Sequence, residues 1–84
     1  MEYKIVFEKS VLKELKNIDY NFSKRIVNQV KYDLAFNPGK DKALTGNHKG
    51  LFSYRVGDYR VIYKIEQESL LILRIGHRKD IYKR

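Results

Sequence analysis

The chain has no cysteine, no tryptophan and a single proline among its 84 residues, and no apolar run long enough to span a bilayer. Without cysteine there is neither a disulfide framework nor a thiolate metal site, which suits a reducing cytoplasm. One proline and a 43% hydrophobic fraction exclude a proline-rich disordered chain. The first residues alternate charged and apolar side chains, so neither a signal peptide nor a membrane segment is expected. The length predicts one domain, residues 1–84, built on one modest core.

Acids are the scarce charge. Ten Asp and Glu face 18 Lys and Arg, a net charge of +8. The excess is uneven: residues 38–84 carry +6 and residues 1–37 carry +2. This asymmetry points to a polyanion-binding face built by the second half of the chain.

Hydropathy periods give the order of elements. Residues 2–8 alternate, with Tyr3, Ile5 and Phe7 on one side, and predict a strand. From Lys9 the period becomes helical, carried by Leu12, Leu15 and Ile18, until residues 17–21 interrupt it. A second helix is predicted over about 22–35, with Phe22, Ile26, Val30 and Leu34 on one stripe. Asn37-Pro38-Gly39 ends it. Residues 40–50 read as a polar, basic loop that Leu44 anchors. Three strand patterns follow, at 51–56, 59–65 and 70–75, with a two-residue hairpin signal at Gly57-Asp58 and a second turn at 66–69. The expected fold class is α+β, in the order β-α-α-β-β-β, with a helical hairpin packed on one face of a mainly antiparallel sheet.

The hairpin fixes a register. With Gly57-Asp58 as the loop, Val56 faces Tyr59, Arg55 faces Arg60 and Tyr54 faces Val61. Phe52, Tyr54, Val56, Tyr59, Val61 and Tyr63 then share the face under the helices, and Ser53, Arg55, Arg60, Ile62 and Lys64 share the other. Two guanidinium groups directly opposed are unfavourable by some tenths of a kcal/mol. The pairing makes physical sense where an anion or an acidic partner segment sits between them. An antiparallel meander also brings the end of the third meander strand beside the start of the second. Arg78 and Tyr82 are therefore expected near Arg60, giving a phosphate clamp with an aromatic platform of the kind used on single-stranded RNA. An even second turn puts Leu71, Leu73 and Ile75 on the Arg60 face, whereas a bulge or odd loop puts them under the helices.

Other cations fit backbone contacts to RNA: Lys40, Lys42 and Lys49 in the loop, Arg55 on the strand, and His77, Lys79, Lys83 and Arg84 at the end of the chain. His48 and His77 are candidate acid–base groups, but two histidines without clustered carboxylates do not make a metal site. The proton acceptor stays open among Lys49, His77, Tyr82 or another group. Gly57 and Gly76 read as backbone requirements.

Two runs resemble the C-terminal signature of the RelE/ParE toxin superfamily. They are Ser53-Tyr54-Arg55-Val56-Gly57-Asp58-Tyr59-Arg60-Val61-Ile62-Tyr63 and Ile75-Gly76-His77-Arg78-Lys79-Asp80-Ile81-Tyr82. The opening Phe7-Glu8-Lys9-Ser10-Val11-Leu12-Lys13-Glu14-Leu15 is similar to that family's first strand and helix. The resemblance covers nearly the whole chain and implies a compact toxin without metal or cofactor. A RelB-like antitoxin is implied as its partner, covering the Arg55/Arg60 face with an acidic or amphipathic segment. RelE-type members enter the ribosomal A site and cleave mRNA there. By position, Arg60 matches the arginine that contacts the scissile phosphate. Arg78 matches the arginine that stabilises charge or acts as acid, and Tyr82 matches the tyrosine that stacks on or orients the nucleotide. The best-studied bacterial form has two lysines where this chain carries Leu51 and Ser53. That difference keeps a non-catalytic homologue as an alternative, beside a ParE-like gyrase poison.

Overall fold

The computed structural model describes residues 2–39, the backbone of residues 42–43, and residues 50–81. Its elements run β1 (Lys4–Phe7), α1 (Lys9–Lys16), α2 (Tyr20–Tyr32), a 3-10 turn (Leu34–Phe36), β2 (Lys42–Ala43), β3 (Phe52–Val56), β4 (Tyr59–Glu66) and β5 (Ser69–His77). This is the expected α+β order with one short strand added inside the segment read as loop.

The sheet is mixed, in the order β1-β5-β4-β3-β2. Strands β2 to β5 form an antiparallel meander, and β1 lies parallel to β5, Lys4 beside Ser69 through Phe7 beside Ile72. The first strand of the chain thus closes the sheet against the last. Tyr3 and Lys4 hold it further, donating backbone hydrogen bonds to Ala35 and Glu68 at 2.8 and 2.9 Å.

Helix α2 begins at Tyr20, two residues before the predicted start. Asp19 caps it, its carboxylate accepting the Phe22 amide at 3.3 Å. The α-helix ends at Tyr32, and the 3-10 turn carries Leu34 onward along the same stripe. Ile26, Val30 and Leu34 are fully buried and Phe22 is half-buried, as the spacing predicted. Helix α1 differs. Its buried residue is Val11, with Leu15 and Ile18 packed beside it, while Leu12 is 49% exposed. Positions 11, 15 and 18 follow i, i+4, i+7 and make a straighter stripe than 12, 15 and 18.

The core lies between the helices and the face of β3, β4 and β5 that carries Tyr54, Val56, Val61, Tyr63, Leu70, Ile72 and Ile75. The Gly57-Asp58 hairpin has the predicted register: Val56 opposite Tyr59, Arg55 opposite Arg60, Tyr54 opposite Val61. Gly57 has φ +61°, and an added Cβ there would lie 2.8 Å from the Phe22 ring. Only glycine fits both conditions.

The question of the second turn resolves into both alternatives at once. Gln67-Glu68 is a two-residue turn between Glu66 and Ser69, and a bulge at Leu73 shifts the pairing from Tyr63–Ile72 to Ile62–Arg74. Leu70 and Ile72 therefore stay under the helices before the bulge, and Ile75 after it, buried with 2% exposure. Leu71, before the bulge, pairs with Lys64 and falls on the opposite face.

Candidate nucleic-acid interface

The helix-free face of the meander carries the basic residues singled out in the sequence. Arg60, the second residue of β4, lies between Arg55 on β3 and Gly76 on β5. It is half-buried, and its guanidinium donates to Ser53 Oγ at 3.4 Å. Arg55 is exposed, and its Nε donates to the Gly57 carbonyl at 2.9 Å. The two opposed guanidinium groups are thus drawn apart along the strands, one toward a hydroxyl and one toward the turn. This relieves the repulsion of direct opposition without neutralising either charge.

Arg78 joins the same turn from the third strand. Its amide donates to the Asp58 carbonyl at 2.8 Å, and its Nε stands 3.7 Å from Asp58 Oδ1. Both side chains are more than 60% exposed, so this pair is weak and available for exchange with an anionic ligand. Arg55, Arg60 and Arg78 therefore flank one two-residue hairpin, while Tyr82, expected beside them, lies outside the described residues.

After β5 the chain folds back. Asp80 and Ile81 both donate to the His77 carbonyl, at 2.8 and 2.9 Å, forming a tight turn. Ile81 is 3% exposed, and a Cβ placed on Gly76 would sit 3.1 Å from its Cδ1. Gly76 pairs with Arg60, so Ile81 lies over the Arg60 face. Gly76 leaves room for the close approach of the tail and has no unusual φ. Ser53 and Ile62 on this face are also buried, at 1% and 5% exposure.

His77 is placed apart from this group. It pairs with Tyr59 on the helix side of the sheet, the two rings 5.5 Å apart and edge-on, and Phe22 lies 5.0 Å beyond Tyr59. Its Nδ1 accepts the Lys79 amide at 3.2 Å. Lys79 itself is exposed at the tail turn. Tyr54 and Tyr63 are core residues, as expected, with Tyr63 Oη accepting the Gly39 amide at 3.0 Å. Tyr82, Lys83, Arg84, Lys40, Leu44, His48 and Lys49 lie outside the described residues, and Lys42 is described only in its backbone.

Several partners carry no signal in the sequence. Asp58 is a turn residue that also holds Arg78. Ser53 supports Arg60. Glu14 reaches from α1 to β5, its Oε1 accepting the Ile75 amide at 2.7 Å and its Oε2 lying 3.6 Å from Arg74 Nε. The signal for Ile81 was present: an apolar residue in a basic tail, five positions after a glycine.

Among the described residues no helix is long and apolar enough to cross a membrane, and no cluster of His, Asp or Glu could hold a metal ion. A family model described as the ParE toxin of the type II toxin–antitoxin system parDE matches residues 5–82. Toxin RelG of Mycobacterium tuberculosis is 33% identical, with the whole of both chains covered. Toxin RelE3 of Methanocaldococcus jannaschii is 29% identical over 94% of each chain. The fold is similar to that in the toxin–antitoxin complex RelBE2 of Mycobacterium tuberculosis, with TM-score 0.88, 28% identity, and 93% of this chain and 100% of that chain covered. The two-helix layer on a mixed sheet is the architecture this chain shares with that toxin–antitoxin structure. The chain belongs to the RelE/ParE family of toxins from type II toxin–antitoxin systems.

Proposed function

We propose that this toxin is a cytoplasmic, ribosome-dependent endoribonuclease that cleaves mRNA in the A site and is restrained by a RelB-like antitoxin. The observation that carries the reading is the gathering of Arg55, Arg60 and Arg78 around one hairpin, on the face over which the tail folds.

The chemistry follows from fixed positive charge. Attack of a ribose 2′-OH on its own 3′-phosphate places negative charge on the phosphoryl oxygens. Guanidinium groups held in advance on rigid strands stabilise that charge with little reorganisation. Arg60, half-buried on the central strand, is the group for the scissile phosphate. Arg78 leaves Asp58 to meet the same or the next phosphate. Tyr82, directly after the anchored Ile81, supplies the stacking or orienting ring. In-line positioning of the 2′-OH provides much of the remaining acceleration. No metal or cofactor is called for in this scheme. His77 lies across the sheet from Arg60, which favours Tyr82 or Lys49 over it as proton acceptor. Lys79, with Lys40, Lys42, Lys83 and Arg84, serves RNA contact around the site, and His77, on the helix side, does not.

The antitoxin reading rests on the same face. Arg55 and Arg78 are exposed around the buried Ile62 and Ile81, a positive surface suited to an acidic segment. The solved relative RelBE2 is a toxin–antitoxin complex.

The test is cleavage of mRNA on purified programmed ribosomes by wild type, Arg60→Ala and Arg78→Ala. Each substitution should slow cleavage by about 10²-fold or more, the usual effect of removing one transition-state charge donor. A wild-type chain that leaves ribosome-bound mRNA intact refutes the proposal. The family model's ParE description favours a second reading, a gyrase poison. That reading predicts DNA damage on expression, with translation initially intact.

A further inference from the structure

Strand β1 pairs with β5 only as far as Ile72. Beyond that point β5 loses its neighbour, and the bulge at Leu73 adds a local irregularity. An unpaired strand amide in such a place needs an acceptor. Glu14 supplies it from α1: its Oε1 accepts the Ile75 N–H at 2.7 Å, a short, charge-assisted hydrogen bond.

The other oxygen of the same carboxylate faces a second group. Arg74 Nε stands 3.6 Å from Glu14 Oε2, with the glutamate side chain only 27% exposed. The opposite end of that guanidinium continues the chain of contacts, Nη1 donating to the Ile81 carbonyl at 3.2 Å. A planar guanidinium suits this use, because its donors diverge in a fixed fork. The Ile81 carbonyl belongs to the peptide that leads into Tyr82.

We infer that Glu14 and Arg74 are positioning residues, a carboxylate–guanidinium relay that fixes where the C-terminal tail leaves the Arg60 face. Burial of Ile81 against Gly76 sets the depth of the tail. The relay holds the Ile81 carbonyl from the β5 edge, which limits the pivoting open to a side chain seated in a socket. Neither residue touches the hairpin or the candidate phosphate site. Their effect on cleavage rests on the functional reading above, whereas their effect on the tail does not.

The experiment uses the full chain with Glu14→Gln, Arg74→Gln and Arg74→Lys. Glutamine at position 14 keeps an oxygen for the Ile75 amide and presents an uncharged NH2 to Arg74 in place of a carboxylate oxygen. Backbone hydrogen exchange is read at Asp80 and Ile81, both bonded to the His77 carbonyl, and at Val61 and Tyr63 in β4 as internal reference. Single-turnover mRNA cleavage on programmed ribosomes is read in parallel. Glu14→Gln and Arg74→Gln should speed exchange at Asp80 and Ile81 about 3- to 10-fold, leaving β4 unchanged. Arg74→Lys, which keeps the charge, should fall between them and wild type. Cleavage at saturating ribosome should drop by about 10-fold with half-saturation unchanged, the mark of misplacement and not of lost binding. Unchanged exchange at Ile81 in both glutamine variants overturns the relay. So does exchange that rises equally in β4, which would mean a purely structural role. If wild type itself does not cut mRNA, the functional reading fails and the exchange result alone decides the relay.

Discussion

Replacing Gly57 by alanine tests the hairpin on which the site is organised. Its φ of +61° lies in the left-handed region, where an L side chain costs about 1–2 kcal/mol. The new Cβ would also stand 2.8 Å from Phe22 Cζ and 3.3 Å from Cε1. That ring is not free to swing away without loss: Tyr59 lies 5.0 Å from it, and the Arg25 guanidinium sits over it at 5.2 Å. Displacing it adds about 1 kcal/mol, the low end for overpacking because the ring is only half-buried. Reduced freedom of the unfolded chain returns about 0.5 kcal/mol. The net expectation is a loss of about 2 kcal/mol, or a thermal midpoint lower by about 8–16 °C for a domain this small. Urea denaturation followed by circular dichroism measures it, with the slope expected to stay constant. The double variant Phe22→Leu/Gly57→Ala separates the two terms, because removing the ring should abolish the overlap and leave the backbone cost. A loss below about 0.5 kcal/mol in Gly57→Ala would refute the argument. So would a double variant whose effects simply add, since the overlap requires coupling.

Gly76→Val should act locally instead. The branched side chain takes the space of Ile81, whose burial is worth about 1.5–3 kcal/mol, so protection of the Asp80 and Ile81 amides should fall at least about 10-fold while β4 stays protected. Retained protection at Ile81 would contradict the seat described for it. Tyr54→Phe removes a hydroxyl that donates to Asp33 Oδ2 at 2.7 Å and ties β3 to the end of α2. A loss of about 2 kcal/mol is expected in urea titration, and a neutral result would mean that water replaces the hydroxyl at no cost.

Local signals made the hairpin legible. Gly57-Asp58 punctuates two period-2 runs, so the register and both faces of β3 and β4 followed from counting, and with them the opposition of Arg55 and Arg60. The stripe of α2 was legible for the same reason, being long and regular. Helix α1 has only eight residues, and Leu12 and Val11 compete for the inward position. Which one wins depends on how α1 meets β5, a tertiary fact absent from any short window. The Leu73 bulge has no local signature either; it arises because Ile75 must remain under the helices although a two-residue turn sets the opposite phase. The relay was the least visible part. Glu14 and Ile75 are 61 positions apart, and one glutamate among the charges of an amphipathic helix looks like its neighbours.

The parallel pairing of β1 with β5 makes Lys4 a neighbour of Ser69. Such a contact closes about three quarters of the polypeptide into one loop, so its entropic cost falls late in folding. A nascent chain that has not yet emitted its fifth strand has no place to dock its first, and its helices have only part of a sheet to cover. The arginines from β3 and β4 then exist without the β5 edge and the Ile81 turn that pack beside them. A copy that lacks β5 is therefore expected to lack the assembled arginine face, before any partner has been met.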